Sequence, residues 1–242
     1  MTEQSKTTGK NSIDHLVEHL TAKEVAAFID HTLLKPEVTK HQIRKICEEA
    51  LDHQFYAVCV NSSMVSTCRE VLKNSKIKIA SVVGFPLGVC DSSVKAFEAD
   101  RAIKLGAAEI DMVVHVGAVK SQEWSFIEKD IKDVVLASAG QIVKVILETH
   151  LLTDDEKKKI CEISMVAGAH FVKTSTGFNG GGATIADVTL MKKIVENKLQ
   201  VKASGGIRDY KTAITMIQAG ATRLGTSAGV QIVRHEISEA SY

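Results

Sequence analysis

One short phrase occurs three times in this chain, as LGAAEI at 105–110, AGAHFV at 167–172 and AGATRL at 219–224. In each copy a glycine stands where a helix would end, and apolar residues follow where a strand would begin. The glycines of successive copies are 62 and 52 residues apart. Each interval has room for two strand–helix units, so the repeat predicts a regular alternation of strands and helices.

Short apolar or β-branched runs recur along the chain and predict eight strands. Most are almost continuously apolar, which is typical of parallel strands buried on both faces. The runs lie at 26–32, 55–60, 77–83, 108–115, 141–148, 169–175, 199–204 and 221–227. The intervening segments have helical periodicity, as at Trp124, Ile127 and Ile131, and Thr153 with Glu156 forms a capping box. No Pro- or Ser-rich linker interrupts the alternation, so we expect an α/β fold, a closed (β/α)8 TIM barrel rather than a doubly wound sheet.

The domain organisation follows from length and from the first residues. A chain of 242 residues is common for a single α/β barrel. Residues 1–12 are polar and lack the apolar segment of a secretory signal, so we expect a disordered N-terminal lead. The barrel domain then covers residues 13–242, with an extra helix at about 13–26 capping its bottom and a short C-terminal tail.

Charge and cysteine usage narrow the function class. Lys and Arg total 30 against 29 for Asp and Glu, so the net charge of +1 argues against nucleic-acid or membrane partners. The longest apolar stretch is broken by Ser, Gly and Pro, so no membrane span is expected.

Five cysteines without a CxxC pair fit reduced thiols in a cytoplasmic protein. The histidines form no HExxH or HxH cluster, and we expect no metal cofactor.

Three ionisable residues stand out inside apolar strands, where functional groups of such barrels lie at the C-terminal ends. They are Asp111 in EIDMVV, Lys173 in FVKTS and Lys202 in VKASGG. One interpretation is a structural ion-pair network in the barrel interior. The other is chemical, because two lysines against one aspartate lower the pKa of an amine, and a neutral amine attacks carbonyl carbon.

A further lysine, Lys144, shares a strand face with Glu148 in IVKVILE. A carboxylate at that spacing favours a structural ion pair between these two residues over a catalytic role for Lys144.

Glycine-rich segments follow the last three predicted strands, at 175–184, 204–208 and 224–229. Backbone N–H groups in such loops bind anions, and this fold commonly builds phosphate sites after its seventh and eighth strands. Glycines also serve ordinary tight turns. Three such segments after consecutive strands favour phosphate binding.

Several motifs together resemble the deoxyribose-phosphate aldolase family, and they cover nearly all of the chain from residue 30 to 229. The motifs are DHTLL, VCVN, EIDMVVHVGA, KVILET, FVKTSTGF, KASGGIR and LGTSAG. The resemblance implies a metal-independent, cofactor-free aldolase that acts on a phosphosugar and aldehydes. Its reaction would be the reversible cleavage of 2-deoxy-D-ribose 5-phosphate into D-glyceraldehyde 3-phosphate and acetaldehyde.

The resemblance also implies roles for individual residues. Lys173 corresponds to the lysine that forms the Schiff base, Lys202 to its activator, and Asp111 to the partner of Lys202 in proton transfer. The implied substrate- and phosphate-binding positions are Thr32, Cys59, Gly177, Gly205, Gly206, Gly225 and Ser227. At Ala228 some family members carry a second serine, so one phosphate contact is missing from the pattern here.

The end of the chain, HEISEASY, has two interpretations. Tyr242 resembles a C-terminal tyrosine that some family members bring to the active site as a proton relay, and the alternative is a frayed terminus. A helix of about ten residues after the eighth strand would carry the chain about 15 Å toward the barrel bottom. We therefore expect a mobile tail that reaches its own site only transiently, or a neighbouring subunit's site in a homodimer or homotetramer.

The same sequence features are compatible with two other functions. A transaldolase-like enzyme would also use an imine and a phosphate site. A non-catalytic barrel that binds a phosphorylated metabolite would keep the glycine-rich loops without using the lysines.

Overall fold

The computed structural model describes residues 20–238, and they form a closed barrel of eight parallel strands. Neighbouring strands pair in sequence order, and β8 closes the barrel against β1. The strands are β1 (Ile29–Leu33), β2 (Ala57–Asn61), β3 (Lys78–Val83), β4 (Glu109–Val113), β5 (Ile142–Ile146), β6 (Phe171–Lys173), β7 (Gln200–Ser204) and β8 (Arg223–Thr226). All eight overlap the predicted apolar runs, and the predicted TIM barrel is confirmed.

Helices connect successive strands on the outside of the barrel, and one short helix precedes β1. They are α1 (Ala22–Ala26), α2 (Lys40–His53), α3 (Val65–Leu72), α4 (Ser92–Leu105), α5 (Val116–Lys120), α6 (Trp124–Ala137), α7 (Asp154–Val166), α8 (Ile185–Val195), α9 (Tyr210–Gln218) and α10 (Gly229–Val233). The predicted capping box is present at the start of α7, where the Thr153 side chain and Glu156 bond each other's backbone N–H. None of the helices within residues 20–238 combines the length and hydropathy needed to span a membrane.

The helix before β1 differs from the continuous helix predicted over 13–26. Residues 13–19 lie outside the described part of the chain, and Thr21 has an extended backbone (φ −69°, ψ 160°). Its hydroxyl accepts a hydrogen bond from the Glu24 N–H, so Thr21 is the N-cap of α1. A single helix through Thr21 is therefore wrong, because the hydroxyl starts a new helix at Ala22.

The strands separate an apolar layer from a polar barrel interior. Successive side chains point to opposite faces, so Ile110 and Met112 pack under the helices while Asp111 between them faces the interior. The helix layer supplies the hydrophobic core of the domain. Because the apolar core lies between strands and helices, the barrel interior can contain the charged groups of a site.

Candidate active site

The three residues singled out from the sequence meet in the barrel interior. Lys173 on β6 and Lys202 on β7 are partners in the strand register, and Asp111 projects from β4. One oxygen of Asp111, Oδ2, accepts hydrogen bonds from Lys173 Nζ at 2.9 Å and from Lys202 Nζ at 2.8 Å. All three side chains are buried. A single carboxylate oxygen thus holds both amines together.

The two lysines differ in their readiness to lose a proton. Burial lowers the pKa of Lys173, the positive charge of Lys202 acts in the same direction, and Asp111 only partly opposes them. Burial also acts to lower the pKa of Lys202, but Asp111 and Asp30 outweigh it and hold that pKa well above its ordinary value. Asp111 itself is kept ionised, because three surrounding ammonium groups outweigh its burial and hold its pKa well below the usual range. The pair therefore provides one amine suited to nucleophilic attack beside one persistent cation.

Three charged residues of the same network were missed from the sequence: Asp30 on β1, Glu109 on β4 and Arg223 on β8. Arg223 Nη1 donates to Asp30 Oδ1 at 2.9 Å and to Glu109 Oε2 at 3.0 Å. Lys202 Nζ also donates to Asp30 Oδ2. Each of the three is an ionisable residue in an apolar strand, so the criterion that selected Asp111 applies to them equally.

Lys144 takes part in this network, and its predicted partner is wrong. Its Nζ lies 2.6 Å from Asp111 Oδ1 and 2.6 Å from Glu109 Oε2. Glu148 is four residues away along the chain, which separates two side chains on one strand face by about 13 Å. Glu148 also lies beyond the end of β5, with a positive φ of 59°. The prediction of an ion-paired Lys144 holds, with different carboxylates.

Thr32 and Cys59 lie next to each other, and Cys59 is close to Lys173 and Lys202. Thr32 and Cys59 are register partners on β1 and β2, and the Thr32 hydroxyl donates to the Asp30 carbonyl oxygen at 2.8 Å. Burial raises the pKa of Cys59, against the opposing influence of the nearby Lys202. Cys59 is therefore a neutral thiol on the wall of the site.

The glycine-rich loops after β6 and β7 are packed directly against each other. Gly205 has a φ of 91°, and a Cβ there would lie 2.9 Å from the Gly182 Cα. The Ala183 N–H donates to the Gly205 carbonyl oxygen at 2.9 Å. Only glycine permits this contact, and it brings the loops containing Gly177 and Gly206 to the same side of the barrel mouth.

Gly225 lies in β8 and not in the loop that follows it. A Cβ at Gly225 would lie 2.9 Å from Ser204 Oγ and 3.0 Å from Lys202 Cε, so the missing side chain makes room for the lysine. Ser227 follows the strand, and the buried Ala228 precedes α10, with its N–H donating to Thr226 Oγ1 at 2.9 Å.

The segment after β8 differs from the predicted ten-residue helix. The helix α10 has five residues, and His235 then adopts a left-handed backbone conformation with a φ of 59°. The Ser238 N–H donates to the Arg208 carbonyl oxygen at 3.2 Å, in the loop between β7 and α9. The chain is thus beside the barrel mouth at Ser238. Tyr242 lies outside the described residues.

Comparisons with known proteins agree with this architecture. A profile of the DeoC/LacD family of aldolases matches residues 13–236. A deoxyribose-phosphate aldolase from Bdellovibrio bacteriovorus is 53% identical over 219 residues, which cover 90% of this chain and 100% of that protein. One from Streptococcus sanguinis is 54% identical over 215 residues, covering 89% and 98%. The tetrameric deoxyribose-phosphate aldolase structure from Aeropyrum pernix is 31% identical with a TM-score of 0.85, covering 95% of this chain and 97% of that one. This chain therefore belongs to the DeoC/LacD family of aldolases.

Proposed function

We propose that this aldolase reversibly cleaves 2-deoxy-D-ribose 5-phosphate to D-glyceraldehyde 3-phosphate and acetaldehyde through a Schiff base on Lys173. The observation that carries the proposal is the bridge from Asp111 Oδ2 to two buried lysines whose pKa values are displaced in opposite directions. The names of the relatives at 53% and 54% identity support the substrate.

The first chemical step is formation of the imine. The neutral amine of Lys173 attacks the C1 aldehyde to give a carbinolamine, and uptake of one proton from the Asp111–Lys202 pair with loss of water gives a protonated imine. The neighbouring Lys202 ammonium favours the neutral amine before attack, because a second positive charge close by is unfavourable.

Carbon–carbon cleavage follows from the iminium. A base removes the proton of the C3 hydroxyl, the C2–C3 bonding electrons move to the iminium, and glyceraldehyde 3-phosphate leaves as the C3 carbonyl forms. The remaining enamine is protonated at C2, and hydrolysis releases acetaldehyde and the free amine. Asp111 and Lys202 exchange these protons, since the Lys173 and Lys202 amines lie on the same Asp111 carboxylate oxygen.

The phosphate is held by backbone N–H groups of Gly177, Gly205 and Gly206, with Ser227 supplying a hydroxyl. The contact between the loops after β6 and β7 supports this assignment, because it brings Gly177, Gly205 and Gly206 to the same end of the barrel. Binding energy from the phosphate then assists the reaction at the distant carbon, so unphosphorylated deoxyribose is a much poorer substrate.

The enzyme works as a homodimer or homotetramer in the cytoplasm. The tetrameric assembly of the Aeropyrum pernix relative supports an oligomer. The five cysteines are free thiols, of which four are buried, as suits a reducing compartment.

Tyr242 acts as a proton relay at the donor carbon. The position of Ser238 at the barrel mouth supports this role, because four further residues at about 3.3 Å each extend about 13 Å.

Borohydride reduction in the presence of acetaldehyde tests the assignment of the nucleophile. We expect one covalent adduct per chain, located on Lys173 by peptide mass mapping, and none in Lys173→Arg, whose guanidinium stays charged. An adduct on a different residue would mean that the nucleophile is wrongly assigned. A phosphometabolite-binding protein without catalysis would give no adduct and no glyceraldehyde 3-phosphate in a coupled assay, and a transaldolase-like enzyme would prefer ketose donors.

A further inference from the structure

Glu148 is a buried carboxylate that the reaction described above does not use. It lies two residues after the end of β5 and has only 1% of its surface exposed. Its φ of 59° is unusual for a residue with a side chain. Such strained positions persist only where the surrounding contacts hold them, and they are frequent at binding sites.

Three donors from the loop after β6 hold this carboxylate. Glu148 Oε1 accepts the Thr176 N–H at 3.2 Å, while Oε2 accepts the Thr176 hydroxyl at 2.5 Å and Asn179 Nδ2 at 2.8 Å. Gly177 lies in the chain between the two donor residues. The carboxylate therefore fixes the backbone on both sides of a proposed phosphate-binding glycine.

The far end of the same loop is fixed independently. There the Ala183 N–H bonds the Gly205 carbonyl oxygen at 2.9 Å. At the near end, Thr174 is bonded to Ser204 on β7. Glu148 holds the next residues, because Thr176 and Asn179 both direct donors at it. Within residues 20–238, the basic group within ion-pair distance of Glu148 is His150, with Nδ1 3.5 Å from Oε1. The carboxylate thus acts mainly as an acceptor of neutral hydrogen-bond donors.

We propose that Glu148 is a positioning residue that shapes the loop after β6 for phosphate and so determines the preference for phosphorylated substrates. This inference rests on the proposed function. Glu148 does not contact the reacting carbons in this scheme, and its effect is transmitted through the backbone between Thr176 and Asn179.

Glu148→Gln tests the proposal sharply. If the amide NH2 takes the Oε1 position it meets the Thr176 backbone N–H, which can only donate, and if it takes the Oε2 position both the Thr176 hydroxyl and the Asn179 amide must reorient to accept it. Leaving a buried donor unpaired loosens the loop, and we expect kcat/KM for deoxyribose 5-phosphate to fall about tenfold or more, mainly through KM. The value for unphosphorylated deoxyribose should stay within about twofold. The inhibition constant of inorganic phosphate, used as a competitive inhibitor, should rise by the same factor as KM for the phosphorylated substrate.

Two further variants separate positioning from loss of stability. Asn179→Ala removes one of the three bonds and should shift the same ratio in the same direction by a smaller factor. Asp130→Asn disrupts the buried Lys95–Asp130 ion pair (2.5 Å) between α4 and α6. This control should lower the melting temperature without changing the preference for the phosphorylated sugar.

Two results would overturn the proposal, and they are distinguishable. An unchanged substrate ratio in both Glu148→Gln and Asn179→Ala, with wild type preferring the phosphorylated sugar, would reject the role of Glu148 alone. Equal kcat/KM of wild type for the two sugars would reject the phosphate site itself, and the positioning role with it.

Discussion

Lys173 and Lys202 are buried side by side, yet we expect their replacement by methionine to change stability in opposite directions. The pKa of Lys173 is lowered, so its charged form is less favourable inside the protein than in water. The pKa of Lys202 is raised, so its charged form is favoured inside. Methionine keeps the unbranched shape of either side chain and removes the charge.

The contacts set the magnitudes. In Lys173→Met, Asp111 keeps Lys202 at 2.8 Å and Lys144 at 2.6 Å, so no carboxylate loses its last partner. Replacing a buried charge by an apolar side chain of similar volume is then neutral or stabilising by about 1–4 kcal/mol. Lys202→Met removes a charge that the interior favours and takes one partner each from Asp30 and Asp111, which keep Arg223 and Lys144 respectively. We therefore expect a loss of up to about 3 kcal/mol, the lower end of the about 3–5 kcal/mol for breaking a buried pair. For a chain of this size, about 3 kcal/mol corresponds to a melting temperature about 6–12 °C lower.

The pH dependence provides a second check on the sign. A base with a lowered folded pKa destabilises the protein fully at low pH, and this penalty disappears as pH rises toward the ordinary lysine pKa. The advantage of Lys173→Met should therefore shrink at alkaline pH. The deficit of Lys202→Met should persist from acid to neutral pH, because the contribution of a base with a raised pKa is lost only at higher pH. Calorimetry and urea titration of both variants measure this, and equal destabilisation by the two substitutions would refute the assignment.

Three further substitutions test other parts of the site. Gly225→Ala places a Cβ 3.0 Å from Lys202 Cε, so the lysine must shift. We expect a stability loss of about 1–3 kcal/mol and a loss of kcat/KM by one to two orders of magnitude. Unchanged kinetics would contradict the close packing. Ala228→Ser adds a hydroxyl beside the proposed phosphate site and should lower KM for deoxyribose 5-phosphate about two- to tenfold, whereas an unaltered KM would place the phosphate elsewhere. Tyr242→Phe should slow exchange of the acetaldehyde methyl protons into deuterated water, followed by NMR, while imine trapping at Lys173 persists. An unchanged exchange rate would mean that the tail has no catalytic role.

The barrel could be predicted because its signal is local. Parallel strands buried on both faces need continuous apolar runs, and glycines such as Gly106 end helices in the left-handed conformation, here with a φ of 118°. The length of α10 had no such marker. His235 adopts the left-handed conformation that ends the turn, and histidine enters this region less often than glycine, so the sequence pattern allowed a longer helix.

The site was predicted only in part, because alternation along a strand determines which face a residue occupies but not its height in the barrel. Lys144 and Glu148 share the correct parity for one face, yet they lie at different levels. The strands of a closed barrel are staggered, so partners from different strands are set by the register. That register pairs Lys144 with Asp111, which comes from a distant part of the sequence.

The charge balance of the interior explains why Lys173, and none of the other bases, is suited to be the nucleophile. In the described part of the chain, this network holds four basic and three acidic side chains, so it has a net charge of +1 when all of them are ionised. Lys173 contacts one carboxylate, that of Asp111. The other three bases each contact two different acidic side chains within 3.0 Å: Lys144 with Glu109 and Asp111, Lys202 with Asp30 and Asp111, and Arg223 with Asp30 and Glu109. Loss of a proton from Lys173 therefore sacrifices the fewest ionic contacts and brings the interior to neutrality. The same network that stabilises the barrel interior selects which amine can attack a carbonyl carbon.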